Sequence, residues 1–158
     1  MASYTNILSY HIPTNRSTAT GKLKGLDGMN EIIAQNRISP RAGARIEAEN
    51  VRWCMYYCNR AMEHSRHFKP IYQHQAVVDI TFIEPERKPH RDIPNVYGAL
   101  KFVLDSITRE RTTKRSIKPG CGAIYDDSPD WLDLRVHVVY NDSKVGCDVI
   151  IAQRKDDD

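Results

Sequence analysis

IYQHQAVVDITFIEPERKPHRDIPNVYGALKFVLDSIT, residues 71–108, sets a strand, a charged loop and a helix in direct succession. Residues 71–83 alternate well enough for a strand, with Val78, Ile80 and Phe82 on one face. Glu84 to Arg91 is charged and contains prolines, which suits a loop. Residues 94–108 then carry Val96, Leu100, Val103 and Ile107 at spacings of four, three and four, the stripe of an amphipathic helix. Lys101 and Asp105 fall roughly opposite that stripe. Downstream, Leu132, Leu134, Val136 and Val138 alternate within residues 131–140, and residues 146–152 form a closing strand, an antiparallel arrangement being expected. Upstream, residues 4–12 read as a strand, Thr14 to Gly28 as a polar flexible stretch, and residues 29–36 as a short helix. Residues 41–67 lack proline and are rich in Arg, Glu, Ala and Met, so a long helix is predicted, its stripe including Ile46, Trp53, Tyr57 and Met62. Interspersed strands and helices predict a single α+β domain, a mixed sheet backed by helices.

Composition agrees with one folded domain. The chain has 158 residues, 41% of them hydrophobic, enough for a core without staples. No apolar run approaches the roughly 18–20 residues of a membrane span. Residues 1–6 lack a basic stretch leading into an apolar one, so no secretory signal is read and the cytoplasm is the expected compartment. The net charge is +3, from 23 Lys and Arg against 20 Asp and Glu, but it is unevenly placed. Residues 1–75 hold 10 basic and 5 acidic side chains, and residues 109–118 hold five basic groups and one acid. Such a run can neutralise phosphates or form a solvated loop. The acids of the second half gather instead at Asp92, Asp105, Asp126, Asp127, Asp130 and Asp133, ahead of a short acidic tail.

Four cysteines, Cys54, Cys58, Cys121 and Cys147, are expected to stay as reduced, buried thiols. Cys54 and Cys58 precede His64 and His67, but on one helix those pairs face different directions, which disfavours a zinc site. His90-Arg91-Asp92 has the order of a kinase catalytic loop, yet Asn95 follows too soon and no Gly-rich phosphate loop exists.

Arg91-Asp92-Ile93-Pro94-Asn95 resembles the Arg-Asp-x-Asp-Asn signature of the RusA family of Holliday-junction resolvases. The likeness continues through Ala99-Leu100-Lys101-Phe102-Val103-Leu104-Asp105-Ser106-Ile107 and resumes at Gly122-Ala123-Ile124-Tyr125-Asp126-Asp127. Gly28 to Ile33, Asn36-Arg37, Gly43-Ala44 and the closing strand Cys147 to Ile151 extend it over roughly residues 22–152. The resemblance implies a homodimer that grips branched DNA and cuts it with Mg²⁺, or Mn²⁺ in its place. It implies Asp92 and Asp127 as catalytic metal ligands, Asp126 beside them, and Lys101 as the active-site lysine. The second signature Asp falls on Pro94, a departure. Arg37, Arg41, Arg45, Arg109, Arg111, Lys114, Arg115 and Lys118 are the candidate phosphate contacts.

Chemistry supports that assignment in outline. A Mg²⁺ held by carboxylates can activate water and neutralise a phosphodiester transition state, and a lysine can donate to a non-bridging oxygen. Two sites in a symmetric dimer match a two-fold junction. Simpler roles exist for each residue. Asp92 can support a helix N-terminus beside Pro94, Asp126 and Asp127 can form a surface turn, and Lys101 with Asp105 can be an ordinary i,i+4 pair. Asp79 belongs on a solvent face. A non-catalytic branched-DNA-binding protein of the same fold, or a nuclease for flaps or single strands, therefore stands beside the resolvase reading.

Overall fold

A computed structural model describes residues 3–16 and 24–155. Four strands form one mixed sheet in the order β1-β6-β2-β5, built from β1 (Tyr4–Pro13), β2 (Ala76–Glu84), β5 (Leu132–Tyr140) and β6 (Gly146–Arg154). Strand β6 lies antiparallel between β1 and β2, and β5 runs parallel to β2. The two closing strands thus run in opposite directions without pairing, because β2 sits between them. Strand β2 starts at Ala76, later than the alternation predicts; Ile71 makes only an isolated bridge to Ile124.

Helices α1 (Met29–Ile38) and α2 (Pro40–His64) cover one face of the sheet together with α3 (Ile93–Tyr97) and α4 (Leu100–Ile107). Ser39 ends α1 and starts α2: its Oγ accepts from the Ala42 amide at 3.0 Å, with Pro40 at the first helical position. The buried line of α2 is Gly43, Asn50, Cys54 and Cys58, so the predicted stripe of Ile46, Trp53, Tyr57 and Met62 flanks the contact rather than forming its centre. The core joins these residues to Ile12, Val78, Ile80, Phe82, Phe102, Val103, Ile107, Val149 and Ile151. Burying each such side chain contributes about 1.5–3 kcal/mol.

Three expectations are corrected here. The helix predicted over 94–108 is two helices, α3 and α4, broken at Gly98 and Ala99. A Cβ on Gly98 would lie 2.3 Å from the Met29 amide nitrogen, so the break lets the start of α1 pack directly on the backbone. The basic run 109–118 is more than a loop, since β3 (Arg111–Thr112) pairs with β4 (Ile117–Lys118) as a hairpin. Its end is closed by Thr113, whose amide donates to the Ser116 carbonyl at 2.7 Å, leaving Lys114 and Arg115 at the tip. Finally, Cys58 and Cys121 form a disulfide, while Cys54 and Cys147 stay free and buried. The pairing follows from α2 packing beside the segment after the hairpin, which brings the two Cα atoms to 6.8 Å across 63 residues of chain.

Of the polar stretch Thr14 to Gly28, residues 17–23 lie outside the described residues, as do residues 156–158 of the acidic tail. The described flanks are tied down: Thr14 Oγ1 donates to the Lys24 carbonyl at 2.5 Å, and Arg16 pairs with Asp27 at 2.7 Å.

Candidate active site

Helix α4 buries Phe102, Val103, Ser106 and Ile107, which turns Lys101 and Asp105 toward the opposite side. Residues 121–124 run alongside the end of this helix. The Cys121 amide donates to the Ser106 carbonyl at 2.8 Å, the Gly122 amide to Thr108 at 3.0 Å, and the Ile124 amide to Ile107 at 3.0 Å. Gly122 permits this path with φ +76°, and a Cβ there would meet the Tyr72 hydroxyl at 2.8 Å. Tyr125 then wedges between Tyr72 and Trp131, with the Arg109 guanidinium 4.2 Å above its ring. This packing delivers Asp126 and Asp127 to the end of α4.

Arg111, from the first hairpin strand, reaches back to both acidic segments. Its guanidinium lies 3.5 Å from Asp105 Oδ1 and 3.8 Å from Asp126 Oδ1. Burial pushes the Asp105 carboxyl above the ordinary carboxylate range, and the Asp127 charge adds to the rise, against the opposing charges of Lys101, Arg111 and Lys118. Lys101, Asp105, Arg111, Lys118 and Asp127 therefore share one electrostatic neighbourhood. Lys101 itself is exposed and reaches Glu47 of α2 at 3.4 Å rather than Asp105.

The remaining candidates are dispersed. Asp92 stands exposed at the N-terminus of α3 and makes no side-chain capping bond. Pro94 occupies the first turn of α3. Lys114, Arg115 and Lys118 are exposed on the hairpin, and Arg37, Arg41 and Arg45 are exposed on α1 and α2. Arg109 is committed to Tyr125. Asp79 faces His137 across strands at 3.4 Å, and Asp133 pairs with Arg154 and Arg135, both on the sheet face away from the helices. Asp105 is the member that sequence reasoning took only for an ion-pair partner. Its position one helical turn after Lys101 was visible, but its burial beside residues 126–127 depends on tertiary packing.

Among the described residues, no three His, Cys, Asp or Glu side chains converge as a ready-made metal cage, and Asp92 does not join Asp126 and Asp127 in one. A cage is not what Mg²⁺ requires: it is commonly held by one or two carboxylates together with substrate phosphate oxygens. Asp105 and Asp126, both within 3.8 Å of the Arg111 guanidinium, are two carboxylates of that kind. The zinc arrangement is not formed, because Cys58 is committed to Cys121.

Compared with known proteins, the chain matches no family model, no curated protein and no solved structure.

Proposed function

We propose that the protein is a metal-dependent, structure-selective DNA endonuclease acting on four-way junctions or related branched DNA, as in recombination, repair or phage DNA processing. The observation that carries this reading is that Arg111, from a basic hairpin tipped by Lys114 and Arg115, reaches both Asp105 near the end of α4 and Asp126 of the acidic turn. Lys114, Arg115 and Lys118 hold backbone phosphates. Arg111 exchanges its carboxylate partners for a phosphate when DNA arrives, which frees Asp105 and Asp126. Lys101 donates to a non-bridging oxygen of the scissile phosphate. Asp127 and its acidic neighbours would hold Mg²⁺ or Mn²⁺, which supplies Lewis acidity and an activated water when bound.

A homodimer belongs to the same proposal. Strand β5 is a sheet edge whose inward Leu134, Val136 and Val138 are only partly covered, and Val139 and Tyr140 beside them are exposed. Sedimentation of the purified chain at twice the monomer mass is the expected result.

The deciding assay incubates labelled four-way junction and linear duplex with Mg²⁺, Mn²⁺ or EDTA, using wild type, Asp127→Asn and Asp92→Asn. Paired nicks that need metal and disappear in Asp127→Asn support the enzyme. Retained nicking in Asp92→Asn assigns the metal to the acidic turn alone. Because Asp92 is isolated and Pro94 replaces a signature carboxylate, a purely binding role has its own support. Junction binding in EDTA with no nicking in any metal would establish that role instead.

A further inference from the structure

A cavity of about 650 Å³ opens where the loop after β2 meets the chain leading into α1, a region separate from the acidic turn. Five cationic side chains line it: Arg16, Lys24, Arg87, Lys88 and Arg91. The carboxylates on its wall are already engaged. Both Glu84 oxygens accept from Arg91, at 2.6 and 3.0 Å. Glu31 accepts from Arg16 at 3.0 Å and from the Gly28 amide at 3.0 Å, and Asp142 accepts from the Glu86 amide at 2.9 Å. Lys24, Arg87 and Lys88 make no ion pair among the described residues.

Arg91 adds a more pointed observation. Glu84 and the Leu26 carbonyl fix its guanidinium, yet Nη1 is buried without a hydrogen-bond partner, its nearest acid being Glu31 Oε1 at 3.6 Å. That nitrogen lies against Gly28, where a Cβ would come within 3.1 Å, so Arg91 lends the wall its charge rather than a free donor. The clamp is tight: a Cβ on Gly25 would lie 1.7 Å from Glu84 Oε2. On the same wall the His90 ring stacks on Tyr140 with centroids 3.8 Å apart, a flat surface suited to a base.

We infer that this cavity binds a phosphorylated nucleotide unit, its phosphate oxygens on Lys88 and Arg87 and its base toward His90. The volume suits a ligand of that size. A DNA strand and a free nucleotide offer the same phosphate chemistry. The strand is the source that the proposed nuclease would bring, so the choice of source rests on that reading while the phosphate site does not.

The test uses the full chain in EDTA, which silences metal-dependent cutting. Wild type and Arg87→Ala/Lys88→Ala are titrated with a short single-stranded oligothymidylate by fluorescence anisotropy and with thymidine 5′-monophosphate by calorimetry. The double variant should melt like wild type but bind at least about tenfold more weakly. Its log–log salt slope for the oligonucleotide should be shallower by about 1.4, as expected for two lost phosphate contacts on a single strand. Loss on the oligonucleotide alone identifies a strand site, and loss on the mononucleotide a free-nucleotide site; either supports the inference. Equal binding of both ligands by the two proteins, or no binding by wild type, overturns it. Because nicking is not read, failure here is distinguishable from inactivity in the junction assay.

Discussion

Glu31 and Asp105 are both partly buried acids beside arginines, and they titrate in opposite directions. Burial raises the Glu31 carboxyl, but the Gly28 and Glu31 amides and the charges of Arg16 and Arg91 outweigh it and hold the group below its ordinary range. A depressed folded value means stability that is present above the unfolded carboxylate pKa and lost as pH falls through the folded one. Glu31→Gln should therefore lose about 1–2 kcal/mol near neutral pH. The gap from wild type should close in strong acid, as measured by urea unfolding across pH. Asp105 has the reverse sign. Its raised folded value means that the stability it contributes is full below the unfolded pKa and lost as pH rises through the folded one. Asp105→Asn should consequently raise the melting temperature at neutral pH by about 2 °C while junction nicking falls. Thermal scans at neutral and acidic pH check this, because the advantage should vanish in acid.

At the scale of elements, the break between α3 and α4 sets steric contact against helix propensity. Alanine is favoured over glycine inside a helix by about 1 kcal/mol, and Gly98 has an ordinary helical φ of −56°. The Cβ would nevertheless meet the Met29 amide nitrogen at 2.3 Å and the Gly28 carbonyl carbon at 2.8 Å, both backbone atoms that cannot swing aside. Gly98→Ala should therefore destabilise by about 1–3 kcal/mol, measured by denaturant unfolding, and a gain in stability would contradict the packing described. The same position shows what the sequence could and could not disclose. Periodicity located α4 through Leu100, Val103 and Ile107, because apolar spacing is a local property. It could not locate the break, because the atoms that demand it belong to residues 28–29. Likewise, alternation identified β2 and β5 but not the place of β2 between β5 and β6, since strand order is decided by which faces bury together. The charge run 109–118 displayed its basicity, but its hairpin depends on the Thr113–Ser116 closure, a short polar signal within the charges. Of the candidate site, residues 126–127 and Lys101 stood out in the chain. The burial of Asp105 and the separateness of Asp92 did not, being consequences of how segments 105–111 and 121–127 dock.

Across the whole molecule, the Cys58–Cys121 disulfide joins the long helix α2 to the segment that delivers Asp126 and Asp127. Cys58 is fully buried against the sheet, so the link also anchors that segment to the core. Closing a loop of this length, 63 residues in separation, restricts the unfolded chain by about 4 kcal/mol on the loop-entropy scale. The core does not depend on it, since Phe82, Phe102, Ile80 and Ile151 are buried without its help. Reduction should thus leave a folded protein that unfolds at markedly lower denaturant, the midpoint shifting while circular dichroism in water stays native-like. Cys58→Ser/Cys121→Ser should reproduce the shift and be insensitive to reductant. If reduction left the midpoint of wild type unchanged, the two thiols would not be linked in solution. The expectation of four reduced thiols drawn from the cysteine pattern would then hold. A loss of junction nicking on reduction, in conditions where the protein remains folded, would further tie the position of the acidic turn to α2 through this bond.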